Sequence, residues 1–253
     1  MRLEDSSAVV TGAAGGLGRC FSLELLRAGA GVAAGDTNAA GLRALRSEAE
    51  GLPGRLTIGM LDVTDETSVA AFVANARAEL GGLNALINSA GILRDGLLLQ
   101  RQGENFKRLT LAQWRKVLDV NLTGPFLMTR EVAEVMMRHG VRGVVVNISS
   151  LSREGNPGQS NYAASKAGLD AATRTWALEL APYGIRVGGV APGVVGTGFL
   201  DGISPEALQA LAAAIPIGRI GTPEEIWLAV RFIVECDYFN GRVIAADGGA
   251  QMG

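Results

Sequence analysis

The sequence predicts a doubly wound α/β fold, a seven-stranded parallel sheet with helices on both faces, and three observations predict it. Short apolar runs alternate with longer segments of helical period along the whole chain, as in consecutive β-α units. Runs such as Val144-Val145-Val146 are apolar without alternation, the mark of strands covered on both faces. The length of 253 residues suits one large α/β domain, able to bury a core without disulfide or metal. Right-handed crossovers between parallel strands then favour the doubly wound arrangement.

The elements follow in order. A first apolar run, Ala8–Thr11, precedes a helix over Leu17–Ala28. Gly31–Gly35 and Leu56–Leu61 are the next strands, each followed by a helical pattern, Ala39–Glu50 and Thr67–Leu80. Ala85–Asn88 leads to a long basic loop, Leu93–Thr110, and then to a helix over Leu111–Arg138. The strand Gly143–Ser149 precedes the helix Ser160–Ala181, and Arg186–Ala191 ends in Pro192-Gly193. The segment 194–217 breaks the rhythm and holds a short helix, Pro205–Ala214; it reads as a lid over substrate. Pro223–Glu235 and Arg242–Ala246 are the last helix and strand.

Composition narrows function. The 23 basic and 25 acidic residues leave a net charge of −2, and charged residues are 19% of the chain. That balance excludes a disordered chain and disfavours nucleic-acid binding. A lone histidine, His139, rules out a histidine-rich metal site, and no metal is expected. Cys20 and Cys236 read as thiols of a reducing compartment. The acidic start, Met1-Arg2-Leu3-Glu4-Asp5, is not a signal peptide, and no apolar run reaches the ~18 residues of a membrane span. A soluble, cytoplasmic protein is expected. Glycine, 35 residues, is about twice the usual ~7%.

Some glycines have a chemical reading. Thr11-Gly12-Ala13-Ala14-Gly15-Gly16-Leu17-Gly18 joins the first strand to the first helix, where glycine lets a pyrophosphate approach uncapped N–H groups. By itself it is equally a tight strand–helix turn. Asp36, ending the second strand, stands where an acid accepts hydrogen bonds from ribose hydroxyls, or else caps the next helix. An acid there repels the 2′-phosphate of NADP, and Thr37 and Asn38 add no positive charge, which favours NAD. Farther on, Tyr162 and Lys166 lie one helical turn apart, so both project from one face. A nearby ammonium favours a phenolate, able to take the proton of an alcohol. Ser149, ending the fifth strand, either donates a hydrogen bond to the same oxygen or caps a turn.

Together these residues resemble the short-chain dehydrogenase/reductase family over essentially the whole chain. The matching motifs are the glycine turn, Asp62, Asn88-Ser89-Ala90-Gly91, Asn121, Ser149, Tyr162, Lys166, and Pro192-Gly193 followed by Thr197. The resemblance implies a single Rossmann-fold domain, 1–253. It implies that Tyr162 is the general acid/base and Ser149 orients the substrate oxygen. Lys166 would bind the nicotinamide ribose and lower the tyrosine pKa, and Asn121 would hold a proton-relaying water. Cofactor contacts carry over to Gly12, Gly15, Gly16, Leu17, Gly18 and Asp36, to Asp62 and Val63 at the adenine, and to Asn88, Ser89, Ala90 and Gly91. Pro192, Gly193, Val195 and Thr197 would hold the carboxamide. Ser89 replaces the family's usual second Asn. Substrate contacts are expected from Leu93, Leu151, Asn156, Gln159, Phe199 and Leu200, beside Ser149 and Tyr162.

Two branches of the family compete. The run Gly155–Gly168 and Arg94-Asp95-Gly96-Leu97-Leu98 resemble 3-oxoacyl-acyl-carrier-protein reductases, which usually take NADPH and carry an Arg where this chain has Leu178. Gln100–Thr110 leading into Val117–Leu122, the stretch Ala191–Thr197 and the tail from Phe239 resemble type 2 3-hydroxyacyl-CoA dehydrogenases, which take NAD. Both act on 3-oxo or 3-hydroxyacyl thioesters. Basic residues Arg94, Arg101, Lys107, Arg108, Arg115 and Lys116 outnumber Asp95 and Glu104 in this region, either to attract CoA phosphates or as a solvated surface. The alternatives are another secondary alcohol (diol, sugar, steroid or aryl carbinol) and a catalytically silent binding protein. The resemblance also implies a homotetramer, with the helices Leu111–Arg138 and Ser160–Ala181 packing across a two-fold axis.

Overall fold

The computed structural model describes residues 1–200, 202 and 204–250. Its seven-stranded sheet comprises β1 (Ser7–Thr11), β2 (Gly31–Asp36), β3 (Arg55–Met60), β4 (Ala85–Asn88), β7 (Gly143–Ile148), β8 (Ile185–Pro192) and β9 (Val243–Ala246). The order is β3-β2-β1-β4-β7-β8-β9, every pair parallel. The chain reverses its direction of winding between β1 and β4, so their carboxyl ends border a crevice where open α/β sheets bind ligands.

Helices α1 (Gly16–Arg27), α2 (Ala39–Glu48), α3 (Glu66–Leu80), α4 (Leu111–Leu118), α5 (Gly124–Arg138), α6 (Ser160–Leu180), α7 (Pro205–Ala214) and α8 (Pro223–Glu235) complete the chain. Alternate residues of the central strands feed two cores. Val10, Ile87 and Val146 pack with Phe21 and Leu25 of α1 and Trp227 and Val230 of α8. Val9, Leu86 and Val145 pack with Phe72 of α3, Met128 and Val132 of α5 and Ala177 of α6. The Phe21 and Trp227 rings meet 6.1 Å apart, tying α1 to α8.

Two segments depart from the sequence expectation. The helix over 111–138 is interrupted by a π-helical turn, Asp119–Thr123, where the Asn121 carboxamide turns aside to bond the Ile92 backbone. Gly124 follows it because a Cβ there would fall 2.7 Å from Val63. The loop 93–110 holds an antiparallel hairpin, β5 (Leu99–Gln102) and β6 (Asn105–Arg108), turning at Gly103 with φ +64°. Both hairpin strands are exposed throughout. Among the described residues no helix is long and apolar enough to cross a membrane, and no His, Cys, Asp or Glu cluster is placed to hold a metal ion.

Candidate active site

The cofactor end is built mostly from backbone. Gly12 has φ +67°, and a Cβ there would lie 2.8 Å from the Ala90 Cα, so the turns after β1 and β4 touch. Gly18 sits against the Gly12 carbonyl, where an added Cβ would come within 2.3 Å. Thr11 Oγ1 accepts the Ser89 and Ala90 N–H groups at 3.1 and 3.0 Å, locking the two turns together. The first helical turn at Gly16-Leu17-Gly18 has no side-chain cap, and beside Gly15 no atom lies within 4 Å of where a Cβ would stand. The result is an open cradle at a helix N-terminus, suited to a pyrophosphate.

Asp36 closes this cradle. Its Oδ2 accepts the Ala14 N–H at 3.0 Å and its Oδ1 the Asn38 N–H at 2.9 Å. The cap of α2 is Asn38, not Asp36, because the Asn38 side chain accepts from Gly41. Arg19 is directed away, paired with Glu48. Asp62 turns its carboxylate onto Thr64, whose N–H and hydroxyl hold it below its ordinary pKa. Val63 is a core residue packed on Gly124. Asn88 is buried and donates to Thr129 and Asn147, leaving the sheet-facing side of the cradle to Ser89, Ala90 and Gly91. Gly193 lies against Asp247, and Val195 bridges to Gly221, which returns Thr197 over Gly16.

The catalytic end is made by side chains from distant segments. Tyr162 and Lys166 are both buried on one face of α6. Lys166 Nζ donates to the Ile148 carbonyl at 2.7 Å and lies 5.6 Å from the Tyr162 ring centroid. Burial brings the lysine down to about 8, against the pull of Asp170. The phenol stands above its ordinary value, chiefly through burial and also through Asp95; the nearby Ser150 hydroxyl opposes the rise. The depression expected from Lys166 is therefore not present in this arrangement: burial outweighs the other influences. A Cβ at Gly91 would lie 3.5 Å from Asn121 Oδ1 and 3.8 Å from Lys166 Nζ, so the turn after β4, which touches the cradle at Ala90, also packs beside this pair.

The two serines after β7 have separate places. Ser149, expected beside the tyrosine, is buried and donates to Asp170 Oδ1 at 2.5 Å. Ser150, one residue on and on the opposite side of the extended backbone, is the one that reaches Tyr162. Ser149 still bonds β8 through its N–H, and the alternation of extended backbone sends its hydroxyl to Asp170 and that of Ser150 to the other side.

Comparison with known proteins agrees with this geometry. A family model described as Enoyl-(Acyl carrier protein) reductase matches residues 12–251. The chain is 41% identical to a 3-oxoacyl-acyl-carrier-protein reductase of Thermotoga maritima, covering 98% of this chain and 99% of that one. It is 35% identical to a (3R)-3-hydroxyacyl-CoA dehydrogenase of Canis lupus familiaris, covering 100% of this chain and 98% of the relative. The chain belongs to the short-chain dehydrogenase/reductase family. A crystal structure of a short-chain type dehydrogenase/reductase from Mycobacterium marinum superposes with a TM-score of 0.88 at 29% identity, over 98% of this chain and 96% of that one. As a short-chain dehydrogenase/reductase the protein is an enzyme acting on CH–OH groups.

Within this dehydrogenase/reductase frame the expected substrate residues divide. Leu151 is buried beside Ser150, and Leu93 and Leu200 are half-buried. Gln159 is committed to a network: its Oε1 accepts from Ser152 and Asn156, and its Nε2 donates to Asp95. Asn156 is bound to that network by its side-chain amide, which donates to Gln159 at 2.9 Å. The side chain of Phe199 lies outside the described residues. Sequence reading passed over three members of the site: Ser150, Asp95 and Asp170. The adjacent Ser149-Ser150 pair was a visible signal for the first, but only the end of β7 tells the two apart.

Proposed function

We propose that the enzyme is NAD(H)-dependent and interconverts a 3-hydroxyacyl thioester and its 3-oxoacyl counterpart. The observation that carries this reading is that Tyr162 and Lys166 share a buried face of α6, and that the turn Ser89–Gly91 touches both Lys166 and the Asp36-closed glycine cradle. The names of its relatives support the substrate class. Asp36 supports NAD, since a 2′-phosphate would meet a carboxylate with Arg19 already paired to Glu48. The cradle residues Gly12 and Gly15 to Gly18 would receive the pyrophosphate, Asp36 the ribose, and Asp62 with the Val63 backbone the adenine edge. Ser89 to Gly91 would form the wall, and Pro192, Gly193, Val195 and Thr197 the carboxamide end.

The nicotinamide, when bound, supplies the hydride acceptor or donor. Tyr162 takes the hydroxyl proton of a 3-hydroxyacyl substrate in one direction and returns it to the carbonyl oxygen in the other. Ser150 takes the role expected of Ser149, donating a hydrogen bond to that oxygen. Lys166 holds the ribose, one helical turn from the phenol. Asn121 fixes the Ile92 loop and lies beside a proton path to Lys166.

Coenzyme A is the favoured carrier. Leu178 is exposed where carrier-protein reductases place an Arg, and the hairpin presents Arg101, Lys107 and Arg108. The segment 194–217 acts as a lid in this reading, supported by α7, which buries none of its residues. A groove between α5 and α6, lined by Phe126, Ala133, Met137, Trp176 and Leu180, supports a homotetramer packed along those helices. A cytoplasmic location completes the proposal.

The test follows nicotinamide absorbance with acetoacetyl-CoA, comparing NADH and NADPH at equal concentration. Rapid oxidation of NADH with little of NADPH is the expected result. Preference for NADPH would overturn the ribose assignment. No turnover with either would discard the thioester and direct attention to other secondary alcohols.

A further inference from the structure

Asp170 is a buried carboxylate in an otherwise apolar stretch of α6, one helical turn beyond Lys166. Removing such a charge from water costs several kcal/mol unless it is paired. Both oxygens are paired here. Oδ1 accepts the Ser149 hydroxyl at 2.5 Å, and Oδ2 accepts Arg153 Nη1 at 2.9 Å. The Arg153 side chain is itself largely buried.

Those two donors flank Ser150. Ser149 is also held to β8 through its N–H, which donates to the Val190 carbonyl at 2.7 Å. Arg153 belongs to the short 3-10 turn Leu151–Glu154, whose cap is Ser150. One carboxylate thus grips the chain on both sides of the serine that faces Tyr162. The same carboxylate acts on Lys166 in the sense that keeps the ammonium charged, against its burial. The other charged groups around this cluster are Arg153 on Asp170, Glu154 at 3.8 Å from Arg153, and Asp95 on Tyr162.

We propose that Asp170 is a positioning residue of this enzyme: through Ser149 and Arg153 it holds Ser150 against Tyr162, and its charge keeps Lys166 protonated. The proposal rests on the catalytic reading above, and its test separates the two. Asp170→Asn keeps the shape and the acceptor for Ser149 but removes the charge. In protein labelled with 15N-lysine, Lys107 and Lys116 serve as exposed references for the Lys166 Nζ titration. The Lys166 midpoint is expected to fall by about one pH unit in Asp170→Asn. In turnover of acetoacetyl-CoA with NADH, kcat is expected to fall about tenfold or more, with its alkaline limb moved to lower pH. Ser149→Ala, which loosens the clamp and keeps the charge, is expected to lower kcat without moving that limb.

Should Asp170→Asn fold poorly, the double variant Arg153→Met with Asp170→Leu replaces the ion pair by apolar volume and is expected to fold. It should show the same Lys166 shift. An unchanged Lys166 midpoint and an unchanged kcat in either folded variant would overturn the proposal. If the wild type does not turn over acetoacetyl-CoA, the substrate assignment fails, while the Lys166 titration still decides the electrostatic role of Asp170.

Discussion

The two ends of the crevice are made of different material. At the cofactor end, between β1 and β2, recognition is by backbone: a glycine cradle, an uncapped helix start and one carboxylate tied to neighbouring N–H groups. At the catalytic end, side chains of Asn121, Ser150, Tyr162, Lys166 and Asp170, with the backbone at Gly91, are brought together from four segments of the chain. The first kind of site is local in sequence, because a turn and the helix it opens are consecutive. The second depends on where each strand stops and which way each residue then points. A one-residue shift leaves the cradle's chemistry intact but exchanges one serine for the other.

The variants that sharpen this contrast fall in order of expected effect. Tyr162→Phe removes the phenol proposed to carry the proton and should lower kcat by about 10²- to 10⁴-fold while NADH binding, followed by fluorescence, persists. Ser150→Ala should lower kcat by about 10²-fold, more than Ser149→Ala does; the reverse ranking in steady-state assays would break the assignment of the two hydroxyls. Asp36→Ala should cost NADH about 1.5–3 kcal/mol in kcat/KM and narrow its advantage over NADPH, with kcat for saturating NADH little changed.

The smallest effect is on stability. Lys166 binds its proton less well in the fold, about 8 against 10.5, so above pH 8 the unfolded chain holds the extra proton. Stability should therefore rise from about pH 8 toward 10.5 relative to Lys166→Met, read as the difference between denaturation midpoints of the two proteins. A flat difference curve would mean that the ammonium is not desolvated as its burial implies.

Much of this was legible in the sequence. The seven strands lie within a residue or two of the apolar runs, since burial on both faces leaves few polar residues to blur them. The glycine turn and Asp36 were readable for the same local reason. The hairpin at 99–108 was not, because both its strands are exposed and carry no apolar alternation; Gly103 was its one signal. The π turn was hidden as well. Helical periodicity continues through 119–123, and what widens the turn is the Asn121 carboxamide reaching a backbone almost thirty residues away.

By itself the sequence determined the order of strands and helices, the cradle and the identity of the Tyr162–Lys166 pair, because periodicity and helical spacing act between near neighbours. Tertiary structure decided which serine meets the tyrosine, that Asn121 anchors the loop after β4, and that Asp170 is sealed between Ser149 and Arg153. Those outcomes depend on strand ends and buried charge pairs, whose partners lie far apart along the chain and meet only when the sheet and its helices are packed.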